Sequence, residues 1–168
     1  MRRRCLSAVS TNCFATSSLE RVRTIADLQF GRGAGSGLFP DVVTFTRSTT
    51  GRVRNVLLGT ERLATVRAQD GRLTLGIAGA RRLHAVLAPP AYRAVLLDEV
   101  EEFVASGRNA MAKHVLAADP AIRAGDEVLV VASGDRLVAT GTAVLSGDEM
   151  TACMYGVAVN VRSGRDET

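Results

Sequence analysis

The sequence predicts an α+β protein of two modules: a small α/β domain with an antiparallel meander, then a second compact domain of short strands and helices. Three observations predict it. Four β-prone runs follow one another between residues 42 and 77 with Gly-containing turns between them. A Pro89-Pro90 pair stops the helical pattern that comes next. Charge then changes sign, because residues 19–91 hold eleven Arg against five acids and residues 92–168 hold seven bases against twelve acids. With 168 residues, 46% of them hydrophobic and 23% charged, the chain is long enough to bury a core and has a globular composition. No run of about 18 uncharged apolar residues occurs that could span a membrane as a helix.

Residues 1–18 (MRRRCLSAVSTNCFATSS) carry three Arg, no acid and no periodicity. Ser7, Ser10, Thr11 and Asn12 break up any apolar segment, so this stretch is read as a disordered tail and not as a targeting peptide. Order begins at Ser17, which forms a capping-box pattern with Glu20, and Leu19, Val22, Ile25, Ala26 and Phe30 then recur at helical spacing up to Gly31. Gly31, Gly33, Gly35 and Gly37 fit no GxGxxG register and follow a helix, where a phosphate loop must follow a strand. They read as a connector.

The four runs are VVTFTR, RVRNVLL, RLATVRA and RLTLGI, the meander of the first domain. Arg52, Arg62 and Arg72 open strands and Arg54 and Arg67 lie within them, which fits a charge-protected sheet edge and a nucleic-acid surface equally. A helix over 80–87 turns Leu83, Val86 and Leu87 inward, with His84 in a surface or packing role. Beyond the boundary at residues 90/91, a strand spans 92–97 and Asp98 with Glu101 caps a helix whose Val100, Phe103 and Val104 face inward. Asp98, Glu99, Glu101 and Glu102 crowd its first turn, where the helix dipole favours negative charge, and no catalytic pair is needed to account for them. Gly107 ends this helix. Asp119-Pro120 starts a single turn closed by Gly125, EVLVVA and RLVATGTAVL form a hairpin across Ser133-Gly134-Asp135, Ser146 with Glu149 caps a last short helix, and VAVNVRS is the closing strand.

The raw material for chemistry is thin. Cys5, Cys13 and Cys153 offer neither a disulfide framework nor a CxxC pair, and His84 and His114 are the two histidines, so no metal, cofactor or catalytic residue is expected. Cysteine usage of this kind suits a reducing, cytoplasmic compartment. Arginine outnumbers lysine twenty to one, a ratio that coding bias produces as readily as phosphate recognition does.

Three segments of the second half, GRNAMAKHVLAADPAIRAGDEVLVV (107–131), RLVATGTAVLSGDEM (136–150) and GVAVNVR (156–162), resemble the archaeal form of the PUA domain, the small pseudo-barrel of pseudouridine synthases and archaeosine transglycosylases. Upstream, IADLQFGRGAG (25–35), LFPD (38–41), TGRVRNV (50–56) and DGRLTLGIAGARRLH (70–84) resemble the domain that precedes PUA at the C-terminal end of archaeal tRNA-guanine transglycosylases and archaeosine synthases. The resemblance covers about residues 20–164. It implies a pre-PUA domain over 19–90 and a PUA-type β pseudo-barrel over 91–165. The enzymes' catalytic barrel, with its aspartate nucleophile and zinc site, has no counterpart in this sequence.

The resemblance therefore implies a non-catalytic RNA-binding protein whose partner is RNA, tRNA in the first place, and which assists a tRNA-modification enzyme. The alternatives are a ribosome- or translation-associated adaptor and a non-catalytic subunit of a split tRNA-modifying enzyme. In PUA domains the loop after the first helix and the strand beyond it meet the sugar-phosphate backbone. The matching positions are Gly107, Arg108, Asn109 and Lys113, with Arg162 from the closing strand. Ala110, Met111 and Cys153 stand where the family commonly has aromatic residues, and Asn160 where it has lysine. Without the resemblance, Gly107 reads as a helix C-cap and Lys113 as a solvated strand residue.

Overall fold

A computed structural model describes residues 9–165, with side chains from Ser17 onward. Helix α1 runs over Val9–Phe30. It passes straight through Ser17, so the Ser17/Glu20 pattern does not start it, and residues 9–18 of the expected tail are helical. The reason is local: the stretch from Val9 to Ser18 contains no Gly or Pro, and its Ser, Thr and Asn residues each cost only a few tenths of a kcal/mol relative to Ala in a helix, about 0.7 at most. Residues 1–8, with Cys5, lie outside the described residues.

A short helix α2 (Ala34–Leu38) occupies the glycine-rich segment expected to be a connector. Asp27 holds its start by accepting from the Gly33 and Gly35 amides at 3.0 and 2.7 Å. Gly35 is needed for close approach, since a Cβ there would lie 2.3 Å from the Arg23 carbonyl oxygen. The meander follows as β1 (Thr44–Arg47), β2 (Val53–Leu58), β3 (Glu61–Val66) and β4 (Leu73–Leu75), antiparallel throughout and in sequence order across the sheet. Register places Phe45, Val56, Ala64 and Leu75 in one row. That row joins Val22, Ala26, Phe30, Leu38, Phe39 and Leu83 in the first core. The outer row is polar, with Asn55 donating to Thr46 at 2.9 Å and Thr65 donating to Asn55 at 2.8 Å. Helix α3 (Ile77–Val86) starts three residues earlier than expected and lays Gly79 against β3.

The second domain contains β5 (Arg93–Leu96), α4 (Glu101–Ala105), β6 (Ala110–Met111), β7 (Val115–Ala118), β8 (Glu127–Ala132), β9 (Arg136–Ala143), α5 (Gly147–Ala152) and β10 (Val157–Gly164). The strand order is β6-β10-β9-β8-β5-β7, with β5 parallel to β8 and every other pair antiparallel. Its first and last strands, β6 and β7, are joined by the single 3-10 turn Ala112–His114, so the sheet curls until its two ends almost meet. This nearly closed, barrel-like sheet is the expected architecture. Ser146 and Glu149 cap α5 reciprocally, as their spacing predicts.

Helix α4 departs from expectation in its start and in the face it buries. Asp98 does not cap it; a 3-10 turn over Asp98–Val100 precedes α4, and the Asp98 carboxylate accepts from the Ser133 amide at 3.1 Å. Because a 3-10 turn advances each residue further around the axis than an α-helix does, the inward face is rotated. Val104 is buried, but Phe103 is 59% exposed and does not face the core.

The two domains share a polar-rimmed junction. Leu129 of β8 and, less deeply, Tyr92 and Leu137 pack into the first core. Tyr92 donates its hydroxyl to the Gln29 carbonyl at 2.5 Å and meets the Phe30 ring edge-on. The Arg93 guanidinium, only 3% exposed, donates to the His84 and Leu87 carbonyls at the end of α3 and to Asp135 in the β8–β9 turn. A cation at a helix C-terminus is electrostatically favoured, and here it belongs to the other domain. His84 Nε2 lies 3.1 Å from the same Asp135. It therefore packs at the junction.

Candidate nucleic-acid interface

Helix α4 ends in a Schellman motif. The Gly107 amide donates to Val104 O at 3.0 Å and the Arg108 amide to Phe103 O at 3.2 Å, with Gly107 at φ 89° in the left-handed region that glycine occupies without strain. The chain then turns outward. Arg108 and Asn109 are exposed before the chain dives back at Ala110 into β6. Arg108 projects over the Phe103 ring, its guanidinium carbon 6.0 Å from the centroid. Ser106 donates its hydroxyl back to Phe103 O at 2.8 Å.

Asn109 has a second task. Its side-chain oxygen accepts from the Val161 amide at 3.0 Å, which extends the β6–β10 pairing past the strand end. The residue anchors the loop to the closing strand. Gly164 on that strand explains how tightly loop and strand meet, since a Cβ there would lie 2.0 Å from Ala105 O and 2.8 Å from the Gly107 amide nitrogen. Lys113 sits exposed in the 3-10 turn after β6. Among the described residues, neither Arg108 nor Lys113 has an acidic partner, whereas Arg23, Arg67, Arg72, Arg93, Arg136, Arg162 and Arg165 are all ion-paired.

Arg162 belongs to a different arrangement. It donates to Glu127 Oε1 at 2.5 Å and to Thr142 Oγ1 at 2.6 Å, crossing from β10 over β9 to β8. The Glu127 side chain is only 3% exposed and also accepts from the Leu75 amide at 2.8 Å, so this pair ties the barrel to β4 of the first domain. Burial pushes the Glu127 carboxyl up, and Arg162 and the Leu75 amide only partly offset this. The structure thus groups Gly107, Arg108, Asn109 and Lys113 along one loop and strand and commits the Arg162 head group to a buried carboxylate. Spacing along the closing strand carries no sign of this, because Glu127 lies two strands away.

Sequence reasoning also missed the exposed Phe103 ring, whose outward position just before buried Val104 became clear only with the 3-10 turn in place. In the first domain Arg52, Arg54 and Arg62 are exposed and have no acidic partner among the described residues, while Arg67 pairs with Asp70 and Arg72 with Asp126. No group of three or more metal-ligating side chains occurs among the described residues.

The fold and the loop together define a PUA-type domain set behind a small α/β domain. Residues 92–165 match the family model of the PUA domain, and residues 20–90 match that of the patch-forming domain C2 of tRNA-guanine transglycosylase. The chain is a PUA-domain protein that is similar to the C-terminal region of the tRNA-guanine transglycosylases. The tRNA-guanine(15) transglycosylase of Pyrococcus abyssi is 50% identical over 148 residues, which are 88% of this chain and 25% of that enzyme. That of Methanothermobacter thermautotrophicus is 46% identical over 147 residues, 87% of this chain and 22% of the enzyme. The chain thus spans about a quarter of the length of these relatives. Among solved structures, a hypothetical protein from Pyrococcus horikoshii shares the fold at a TM-score of 0.70 and 18% identity, covering 90% of this chain and 92% of its own. A PUA-domain protein from Aeropyrum pernix does so at 0.61 and 16%, covering 98% and 86%.

Proposed function

We propose that this chain is a non-catalytic RNA-binding module that grips structured tRNA and so assists its modification. The observation that carries the reading is the charge pairing of the second domain. In a domain with more acids than bases, Arg108 and Lys113 stand exposed on either side of β6 without an acidic partner among the described residues, as does Arg123 elsewhere in the domain, and they lie next to a glycine turn that lets a phosphate backbone come close. Shape and phosphate contacts of this kind suit A-form RNA, whose deep major groove side chains do not enter. The kinship with tRNA-guanine(15) transglycosylases favours tRNA as the ligand and a modification enzyme as the beneficiary. It also supports a second reading, a non-catalytic subunit that completes a split tRNA-modifying enzyme.

Titration of a fluorescent tRNA transcript across a salt series tests the first reading. The account expects log K to fall linearly with log salt, with a slope of about −0.9 per phosphate contacted, and expects an unstructured RNA of equal length to bind more weakly. Equal binding of the two RNAs overturns it. Reconstitution of activity by mixing with a separately expressed catalytic barrel distinguishes the split-enzyme reading.

A further inference from the structure

Strand β1 (Thr44–Arg47) is an edge of the meander, paired with β2 on one side only. We infer that its free side is a docking site for an extended, acidic segment of a partner protein, which adds a fifth strand to the sheet. The inference is independent of RNA binding and gives the arginines of the β1–β2 hairpin a partner of their own.

The sheet treats its two edges differently. At β4, Gln29 donates to the Leu73 carbonyl at 2.9 Å and accepts from the Leu73 amide at 2.8 Å, while Glu127 accepts from the Leu75 amide at 2.8 Å. That edge is closed by side chains. At β1, the register and the hydrogen bond from the Ser48 amide to Arg52 O turn the backbone of Thr46 toward β2 and that of Phe45 and Arg47 away from it. Among the described residues, no side chain or loop hydrogen-bonds to the outward backbone groups of these two. Thr44 and Thr46 are exposed, and Val42, just before the strand, is 73% exposed. Natural sheets blunt such an edge with charge, proline or a bulge on the edge strand itself. Here the extra residue of the irregularity lies on β2, and the run VVTFTR carries no charge before Arg47. A bare row of N–H and C=O groups is what strand addition uses.

Charge selects the occupant. Residues 42–60 contain Arg47, Arg52 and Arg54 and no acid. Thr46 pairs with Asn55 and Arg47 with Val53, so Arg54 stands outside the ladder. It and Arg52 are exposed, with no acidic partner among the described residues. A strand added beyond β1 lies two strand spacings from β2, about 10 Å, which an arginine and a glutamate side chain together bridge. A second copy of this chain brings the same arginines to the edge, and like charges oppose that pairing.

The test uses the full chain and short fluorescent peptides. One alternates glutamate with valine, a second has lysine for each glutamate, and a third is the acidic peptide N-methylated at its central residues, which keeps the charge and removes backbone donors. The acidic peptide is expected to bind most tightly and to slow amide exchange at Phe45 and Arg47. Arg52→Gln/Arg54→Gln is expected to lose roughly two- to thirtyfold of that affinity, the range for two exposed ion pairs, with an unchanged melting temperature. Arg52→Glu/Arg54→Glu is expected to prefer the lysine peptide, a reversal that a structural role of the arginines does not predict. Failure of the acidic peptide to bind overturns the inference, as does equal binding of the lysine or N-methylated peptide by wild type, or binding without protection of β1. Self-association of wild type that protects the β1 amides overturns it in favour of a second copy. Transfer RNA that protects the same amides, and that binds more weakly to Arg52→Gln/Arg54→Gln, overturns it in favour of RNA.

Discussion

Replacing Arg162 by alanine separates a structural cation from an RNA-binding one. The side chain neutralises a carboxylate that is 3% exposed, and its removal takes away one of the two donors to Glu127 Oε1 and leaves the Leu75 amide. Breaking a fully buried pair from one side costs about 3–5 kcal/mol. Arg162 is itself 35% exposed, so water reaches the gap, and we expect about 2 kcal/mol. For a chain of this size that corresponds to a Tm lower by roughly 4–8 °C. Urea unfolding followed by circular dichroism at several pH values is the assay.

The sign with pH is defined. Burial already raises the Glu127 carboxyl, and loss of Arg162 raises it further. A raised folded-state carboxyl makes the folded protein the better proton binder, so the variant gains stability relative to wild type as pH falls and Glu127 protonates. The deficit is therefore largest at and above neutrality and narrows in acid. The double variant Glu127→Gln/Arg162→Met should recover most of the loss. Unchanged stability in Arg162→Ala, together with a tRNA salt slope reduced by one contact, would refute the reasoning and return Arg162 to the RNA surface.

Two further outcomes follow from the junction and the first core. Burial disfavours the charge of Asp135, but hydrogen bonds and charge from Arg93 and then His84 outweigh it and hold its carboxyl below the ordinary range. Its stabilising contribution is thus complete above the ordinary carboxylate range and is lost as pH falls through the lowered value, so the stability gap between wild type and Asp135→Asn, read by urea titration, closes in acid. Gly79→Ala places a methyl 2.0 Å from the Leu63 carbonyl oxygen, a backbone atom that cannot swing away, and should cost at least about 1–3 kcal/mol by thermal melting despite the better helix propensity of alanine.

Legibility in the sequence followed the range of each interaction. The meander was readable because alternation and glycine turns are local, and the Ser146/Glu149 cap because both partners lie within one turn. The start of α1 was misplaced because a capping pattern at Ser17 also occurs harmlessly inside a longer helix. The inward assignment of Phe103 failed on one 3-10 turn that rotates the helix face. Arg162 looked like a surface cation because its partner comes from 35 residues away across two strands. Arg108 and Lys113 were placed by resemblance, and their lack of acidic partners among the described residues is a tertiary property that no spacing encodes.

The most direct test of the central claim compares two neutralised variants by tRNA titration across salt. In one, Arg108 and Lys113 become alanine; in the other, Arg52 and Arg54 of the meander do. These exposed changes should each alter stability by less than about 0.5 kcal/mol, so folding does not confuse the result. The account predicts that the Arg108/Lys113 variant weakens binding and flattens the salt slope by about two units, one for each lost phosphate contact, while the meander variant binds nearly as wild type. The opposite outcome, full binding by the Arg108/Lys113 variant and loss in the meander variant, would contradict the account and move the RNA surface to the first domain.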